Sequence, residues 1–322
     1  MKIVISDLDH VDHEIETQTL HAAGFQFEKL DCKTEDDLIQ QLKGVSVVIN
    51  QYAPFTRRVF EALPDLRAVV RYGVGVNHID LQAAADAGVH VSNVPDYGMN
   101  EVSDHAVALA LALVRKLVPM NNDTHAGGWD YQHAIPIRRT SCMVAGVIGL
   151  GRIGRLYAQK MHAMGYRVIG ADPAMRETGG LEFVEMVTLD DVVTQSDIIA
   201  LFCPLNDETR HIIDAAAIAR MKSGACVVNT ARGGLIDETA LAAALNSGAL
   251  GGAGIDVCAT EPLQQASPLR GIANCILTPH MAWYSEEAGD ELKRKVAEEA
   301  IRFMRGEALH WDLSAALRRC LA

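Results

Sequence analysis

An α/β chain with two doubly wound parallel sheets is the fold class this sequence predicts, and three observations predict it. Short apolar runs alternate with amphipathic stretches from the N-terminus to about residue 92, and a second series of the same kind begins at Met143. A glycine-rich turn, GLGRIG, stands between the first apolar run of that second series and the helical stretch after it. The chain has 322 residues, more than one ordinary domain holds, so two domains are expected. Strands that alternate with helices build parallel sheets covered on both faces.

In order along the chain, residues 2–6, 25–30, 46–50, 66–71 and 89–92 read as strands. Helical stretches at 13–23, 35–42, 57–62 and 80–87 separate them, with Gly24, Gly44 and Gly88 where helices should stop. A helix follows over 101–117. Its apolar residues Ala106, Val107, Leu109, Leu111, Leu113 and Val114 nearly surround it, which predicts burial. Pro95 and Pro119 are expected to bound it. Residues 120–140 are polar, carry Gly127, Gly128 and Trp129, and read as an irregular excursion, either an intersubunit arm or a plain surface loop.

The second series places strands at 143–148, 167–171, 197–201, 225–229, 252–256 and 275–278, with helices between most of them, including 153–164 and 238–247. Six strands and a glycine-rich first turn match the doubly wound dinucleotide fold. A charged helix over 286–305 follows Pro279.

Composition excludes several classes of function. A formal net charge of −12 argues against a nucleic-acid surface, which needs concentrated basic charge. No segment approaches the roughly 18 consecutive apolar residues of a membrane span, and the opening MKIVISDLDH lacks the apolar core of a signal peptide. The seven cysteines (Cys32, Cys142, Cys203, Cys226, Cys258, Cys275 and Cys320) are odd in number and scattered, with no metal-binding spacing. They read as buried free thiols, with no metal site and a cytoplasmic setting.

Chemistry enters with the glycine turn. The run Gly149-Leu150-Gly151-Arg152-Ile153-Gly154 has a strand before it, a helix after it and an acid about 20 positions on, which is the context a dinucleotide site requires. Gly149 permits the tight turn, and Gly151 lets backbone approach a pyrophosphate. Gly154 allows close helix packing, and Arg152 and Ile153 open the helix whose N–H groups face the anion. Asp172, at the end of the next strand, would accept from the ribose hydroxyls and repel a 2′-phosphate, favouring NAD over NADP. Arg167 and Arg176 are the nearest complications, and Arg176 could approach a 2′-phosphate.

Three later segments, VVNTARGGLID, GIDVCATEPL and LTPHMAWYSEEA, follow the strands at 225–229, 252–256 and 275–278. Ligands of open α/β sheets bind beyond the carboxyl ends of strands, so Arg232, Glu261 and His280 face one cleft. Taken singly, each has a plain alternative: a surface cation, a helix-start acid and a loop imidazole.

With RYGVGVNHID from residue 71, these motifs resemble the D-isomer-specific 2-hydroxyacid dehydrogenase family across nearly the whole chain. The resemblance implies an NAD domain at 100–282 inserted into a flavodoxin-like substrate domain made of 1–99 and 283–322. Two crossings near residues 100 and 282 would then let the domains hinge shut over substrate. It also implies hydride transfer between nicotinamide and C2 of a small D-2-hydroxy or 2-keto acid. His280 would give or take the hydroxyl proton, since imidazole titrates near neutrality. Glu261 would hold His280, and Arg232 would fork onto the substrate carboxylate.

The resemblance further places the Val74 and Gly75 N–H groups on the carboxylate, and Thr230, Ala231 and Arg232 along the nicotinamide. Asp256 would accept from the carboxamide, Cys203 and Pro204 flank the cleft, and Thr209 lies near the pyrophosphate or ribose. His280 borders cofactor and substrate alike. A homodimer through the NAD domain is expected.

Trp283, three places after His280, resembles the C-terminal-binding-protein branch. It would line the acyl pocket for an apolar or thioether tail, or else serve as interdomain packing. A different reading of that branch is an NAD(H)-sensing, protein-binding scaffold. The absence of a regulatory extension weighs against phosphoglycerate dehydrogenase in particular. The sequence departs from the usual Asp-Asn after the GxG turn by carrying Asn77-His78. The other histidines (His10, His13, His78, His105, His125 and His133) default to satisfied or solvated roles.

Overall fold

The computed structural model describes residues 2–177, 181–315 and 317. The backbone divides into two units, Met1–Gly98 with Ser285–Ala322, and Met99–Tyr284. The first unit runs β1 (Ile3–Ile5), α1 (Glu14–Ala22), β2 (Phe27–Lys29), α2 (Glu35–Gln41), β3 (Val47–Asn50), α3 (Arg57–Ala62), β4 (Ala68–Arg71), α4 (Leu81–Asp86) and β5 (His90–Ser92). All five strands are parallel, in the order β2-β1-β3-β4-β5, which is the flavodoxin-like arrangement. The inner strands β1 and β3 are buried throughout and apolar but for Asn50 at the end of β3, while edge strand β2 is mostly exposed. Helix starts follow local chemistry. Thr34 and Asp37 form a reciprocal capping box on α2, and the Asp80 carboxylate caps α4 through Ala83 N.

The second unit opens with α5 (Met99–Val114) and α6 (Leu117–His125). There follow β6 (Val144–Ile148), α7 (Arg152–Ala163), β7 (Arg167–Ala171), α8 (Pro173–Glu177), β8 (Glu185–Met186), α9 (Leu189–Gln195) and β9 (Ile198–Leu201). The remainder is α10 (Ala215–Arg220), β10 (Cys226–Asn229), α11 (Glu238–Asn246), β11 (Gly252–Ile255) and β12 (Cys275–Leu277). Seven parallel strands lie in the order β12-β11-β10-β9-β6-β7-β8. The strand order reverses between β6 and β9, and the carboxyl ends there form the crevice in which such sheets bind ligands. Alternate residues feed two cores. Ile199, Leu201 and Val227 face one helical layer, while Ile198, Ala200 and Val228 face the other with Leu109, Tyr157 and Met161. The chain then returns to the first unit as α12 (Glu286–Met304), capped by Ser285 and packed on α1, β3 and β4.

Three expectations need correction. The helix expected over 101–117 is broken at Lys116, which adopts φ 53°, and a second helix begins at Leu117. Pro119 lies in the first turn of α6, where its missing N–H would have had no helical partner, so it does not stop the chain there. Residues 120–140 therefore start as helix. Burial of α5 is also one-sided: Ala106, Leu109 and Leu113 are buried, whereas Val107, Leu111 and Val114 are half-exposed. Finally, Cys142 is exposed, and Cys258 and Cys275 are only partly buried; Cys320 lies outside the described residues. Among the described residues no helix is long and apolar enough to cross a membrane.

Candidate active site

The glycine turn is shaped by close approach of backbone. Gly149 follows β6 at φ +92°, and a Cβ there would lie 2.5 Å from the Cys203 nitrogen. At Gly154 a Cβ would lie 2.0 Å from the Gly149 carbonyl oxygen, so the first turn of α7 rests directly on the loop. Gly151, the residue before α7, has open space where its side chain would be. Arg152 is exposed and Ile153 half-buried at the helix start, whose first N–H groups have no helical acceptor.

Asp172 ties this loop to the next strand. Its Oδ2 accepts from Leu150 N at 2.7 Å, and its Oδ1 accepts from Ala174 N at 2.9 Å and Met175 N at 3.2 Å. Each carboxylate oxygen has about two acceptor sites, so capacity remains for a ribose hydroxyl. Arg167 is spent on Glu185 at 2.7 Å, and the Arg176 side chain lies outside the described residues. Across the crevice Cys203 is buried against Gly149, and burial pushes its thiol up to about 11, which makes it packing material rather than a nucleophile. Pro204 is exposed. The Thr209 hydroxyl donates to the Pro204 carbonyl at 2.6 Å and accepts from Asn206 N at 2.8 Å, closing the loop after β9.

Beyond β10 the segment Thr230-Ala231-Arg232 is organised by Asn229, which sequence reasoning did not single out. Asn229 Nδ2 donates to the Arg232 carbonyl at 2.8 Å, and its Oδ1 accepts from Ala231 N at 3.0 Å. A buried Asn ending an apolar strand was the available signal, because buried amides need several partners. Thr230 Oγ1 is buried with no hydrogen-bond partner among the described residues. Gly233 completes the assembly. A Cβ there would lie 1.9 Å from the Cys258 carbonyl carbon, so the loop bearing Arg232 is pressed onto the loop bearing Glu261.

Glu261 and His280 form the centre. His280 Nδ1 lies 2.6 Å from Glu261 Oε2, while Glu261 Oε1 accepts from Cys258 N at 2.8 Å. Burial alone would raise the Glu261 carboxyl, but the His280 hydrogen bond and charge, Cys258 N and Arg232 outweigh it and hold it below the usual range. An ionised Glu261 accepts, so His280 carries its Nδ1 proton toward Glu261 and turns Nε2 outward. The two side chains are 40% and 37% exposed, open enough for Nε2 to meet a small substrate. Arg232 also donates to the Ala231 carbonyl at 2.6 Å. Asp256 differs from the other cleft residues: its side chain is 1% exposed, and it already receives Thr278 Oγ1, Met281 N and Ala282 N. Trp283 is half-buried with its ring edge-on to Tyr284 at 5.5 Å.

In the first unit, the Val74–Gly75 turn follows β4. Asn93 Nδ2 donates to the Val74 carbonyl at 2.6 Å, and among the described residues neither the Val74 nor the Gly75 N–H reaches an acceptor. The unusual His78 has a local partner, its Nε2 lying 2.9 Å from Asn50 Oδ1, and Asn50 in turn donates to Asp7 at 2.8 Å.

These residues fit a dinucleotide. An open cradle at Gly151, a helix start behind it, a carboxylate at the end of β7 and an unpartnered buried hydroxyl at Thr230 supply what phosphate, ribose and nicotinamide each need. Comparison with known proteins agrees. Residues 107–282 match the model of the D-isomer specific 2-hydroxyacid dehydrogenase, NAD binding domain. The hydroxypyruvate reductase of Blautia hydrogenotrophica is 32% identical over 318 residues, covering 96% of this chain and 99% of that protein. Among solved structures, an acyclic imino acid reductase in complex with NADPH and D-Arg is 26% identical with a TM-score of 0.88, over 97% of this chain and 100% of that one. A D-2-hydroxyisocaproate dehydrogenase is 29% identical with a TM-score of 0.82, over 98% and 100%. By strand order, by glycine loop and by these matches, the chain belongs to the D-isomer-specific 2-hydroxyacid dehydrogenase family.

Proposed function

We propose that this NAD-dependent 2-hydroxyacid dehydrogenase works through His280 as proton donor, Glu261 as its partner and Arg232 as the carboxylate-binding fork. The single observation that carries the proposal is the 2.6 Å His280–Glu261 bond, beside an Arg232 loop locked in place by Gly233. NAD(H), held by Gly149, Gly151, Arg152, Ile153, Gly154 and Asp172, supplies or accepts the hydride when bound. In the reducing direction the substrate oxygen gains a proton as C2 is reduced, and His280 Nε2 delivers it. Glu261 stabilises the imidazolium in the donor state and fixes the ring so that Nε2 points outward. Arg232, permanently charged and planar, pairs with the carboxylate and polarises the carbonyl. The Val74 and Gly75 N–H groups, without an acceptor among the described residues, are assigned by the family resemblance as a second carboxylate holder, of the kind that backbone nests make.

Thr230 and Ala231 border the nicotinamide, Cys203, Pro204 and Thr209 shape the opposite lip, and Asp256 is assigned to the carboxamide side. Trp283 faces the substrate's tail. A reductase reading suits the relatives better than the scaffold alternative, since they are named as enzymes. A homodimer through α5, α6 and the following segment belongs to the same reading, as does a cytoplasmic setting, supported by the free thiols among the described residues.

Purified protein mixed with NADH and a panel of 2-keto acids (glyoxylate, hydroxypyruvate, pyruvate, 4-methyl-2-oxopentanoate) tests the function by loss of nicotinamide absorbance. Turnover of at least one is expected, and the preferred tail reports on Trp283. His280→Ala should lower kcat by about a hundredfold or more while NADH still binds. Undiminished turnover in that variant would assign the proton to another group.

A further inference from the structure

We infer that His105, on α5, is a positioning residue for the reduction, because through Thr278 and Asp256 it holds the turn that carries His280. The inference rests on the reading of His280 as proton donor. His105 Nε2 lies 3.0 Å from Thr278 Oγ1, and Thr278 Oγ1 donates its only proton to Asp256 Oδ1 at 2.6 Å. The hydroxyl must therefore accept from His105, which makes Nε2 the protonated ring nitrogen. Asp256 Oδ1 is itself 3.7 Å from that nitrogen. The same carboxylate then receives Met281 N and Ala282 N, each at 3.0 Å, and the Asp256 carbonyl accepts His280 N at 2.8 Å. Four hydrogen bonds thus converge from one buried residue on the five-residue stretch 278–282.

The stretch needs that support. His280 sits at φ 53°, a region few non-glycine residues adopt, and such a conformation persists only when its surroundings over-determine it. Glu261 fixes the ring at Nδ1 but not the backbone beneath it. His105 is the one member of this network that comes from α5 rather than from the strand ends, and it pins them to the helix at the start of the second unit. Without it, the Thr278 hydroxyl can turn away from Asp256, and the anchor of the turn loosens. The glycine loop and Asp172, assigned to the cofactor's phosphates and ribose, lie on other elements and are left alone, so the effect falls mainly on proton delivery and reaches cofactor affinity only weakly, through Asp256.

The test compares His105→Leu, His105→Gln, Thr278→Val, Thr278→Ser and the double variant His105→Leu/Thr278→Val. Gln places an amide N–H near the position of the imidazole Nε2, and Ser retains the hydroxyl. His105→Leu and Thr278→Val should each lower kcat about tenfold to a hundredfold, as misplacement on the order of an ångström does. NADH affinity, read by fluorescence, should stay within about twofold, and His105→Gln and Thr278→Ser should recover most of the rate. The double variant should be no slower than the slower single one, since both break one network. In cofactor-free protein, the Met281 and Ala282 amides should exchange hydrogen faster in His105→Leu than in the native chain.

A native kcat in His105→Leu overturns the inference. So does a double variant whose loss is the product of the two single losses, or a loss confined to NADH affinity. Should His105→Leu fail to fold, the Thr278 pair, which changes one methyl or one hydroxyl, decides alone. Failure of the underlying reading is seen separately, as turnover that survives His280→Ala.

Discussion

Asp172 holds the glycine loop and, under the proposed function, also selects the cofactor, and these two tasks set what its replacement should do. Three backbone N–H groups hold it at the end of β7, so it positions the glycine loop even before a cofactor arrives. Under the proposed function its charge opposes a 2′-phosphate. Asp172→Asn keeps one acceptor oxygen and removes the charge, so the NADH-over-NADPH preference in kcat/KM should narrow by about tenfold, a difference of about 1.4 kcal/mol. An unchanged ratio would place the discrimination elsewhere. Glu16 makes a second residue-scale prediction. It is fully buried, accepts the Tyr72 hydroxyl at 2.7 Å and leaves Oε2 without a partner among the described residues. Burial raises its carboxyl above the ordinary 4.5, against the smaller opposing effects of the Tyr72 bond and Lys293. The folded chain therefore binds this proton more tightly than the unfolded one, and stability falls as pH rises from about 4.5 through the raised value. Glu16→Gln should flatten that fall, as read from urea midpoints between pH 4 and 8. A parallel profile would show that Glu16 is not the titrating group.

At the scale of elements, one of the tightest junctions is the first turn of α7 on the glycine loop. Gly154→Ala would force a Cβ to 2.0 Å from the Gly149 carbonyl oxygen, and backbone cannot swing aside as a flexible side chain can. A cost of about 1–3 kcal/mol is expected, with loss of measurable NADH binding, both accessible from thermal melts with and without NADH. Native-like melts and binding would mean that the helix can shift without cost. Most elements were legible because local chemistry and burial agree. The run VVIN becomes β3, buried on both faces, and Thr34 with Asp37 starts α2 where a capping box should. The two-residue strand β8 escaped because two residues carry no periodicity. The break at Lys116 escaped because a left-handed lysine has no signature, and Pro119 reads equally as a stop or as a first-turn residue.

For the whole molecule, the second unit leaves an uncovered apolar surface. Along α6 and the segment after it, Leu117 is 58% exposed, Trp129 92%, Tyr131 77% and Ile135 61%. Exposed aromatic and aliphatic side chains concentrated in one stretch of chain are what subunit interfaces use. Sedimentation at micromolar concentration should show a dimer, and the pair Trp129→Glu/Tyr131→Glu should dissociate it. A native protein that sediments as a monomer would remove the dimer from the proposed function.

By itself the sequence determined the two sheets, their parallel sense and the residues that could do chemistry. Apolar periodicity, glycine spacing and three motifs at strand ends are local patterns, and local patterns are what a linear chain displays. Only the tertiary structure decided how those residues are supported. Asn229 shapes the Arg232 loop, Gly233 presses that loop onto the one bearing Glu261, and His105 reaches Thr278 across 173 positions. Nothing in a one-dimensional pattern links residues that far apart. Their partnership exists because strand order brings β11 and β12 together and lays α5 against β10 and β11, and hydrogen bonds form only where folding brings donor and acceptor within about 3 Å.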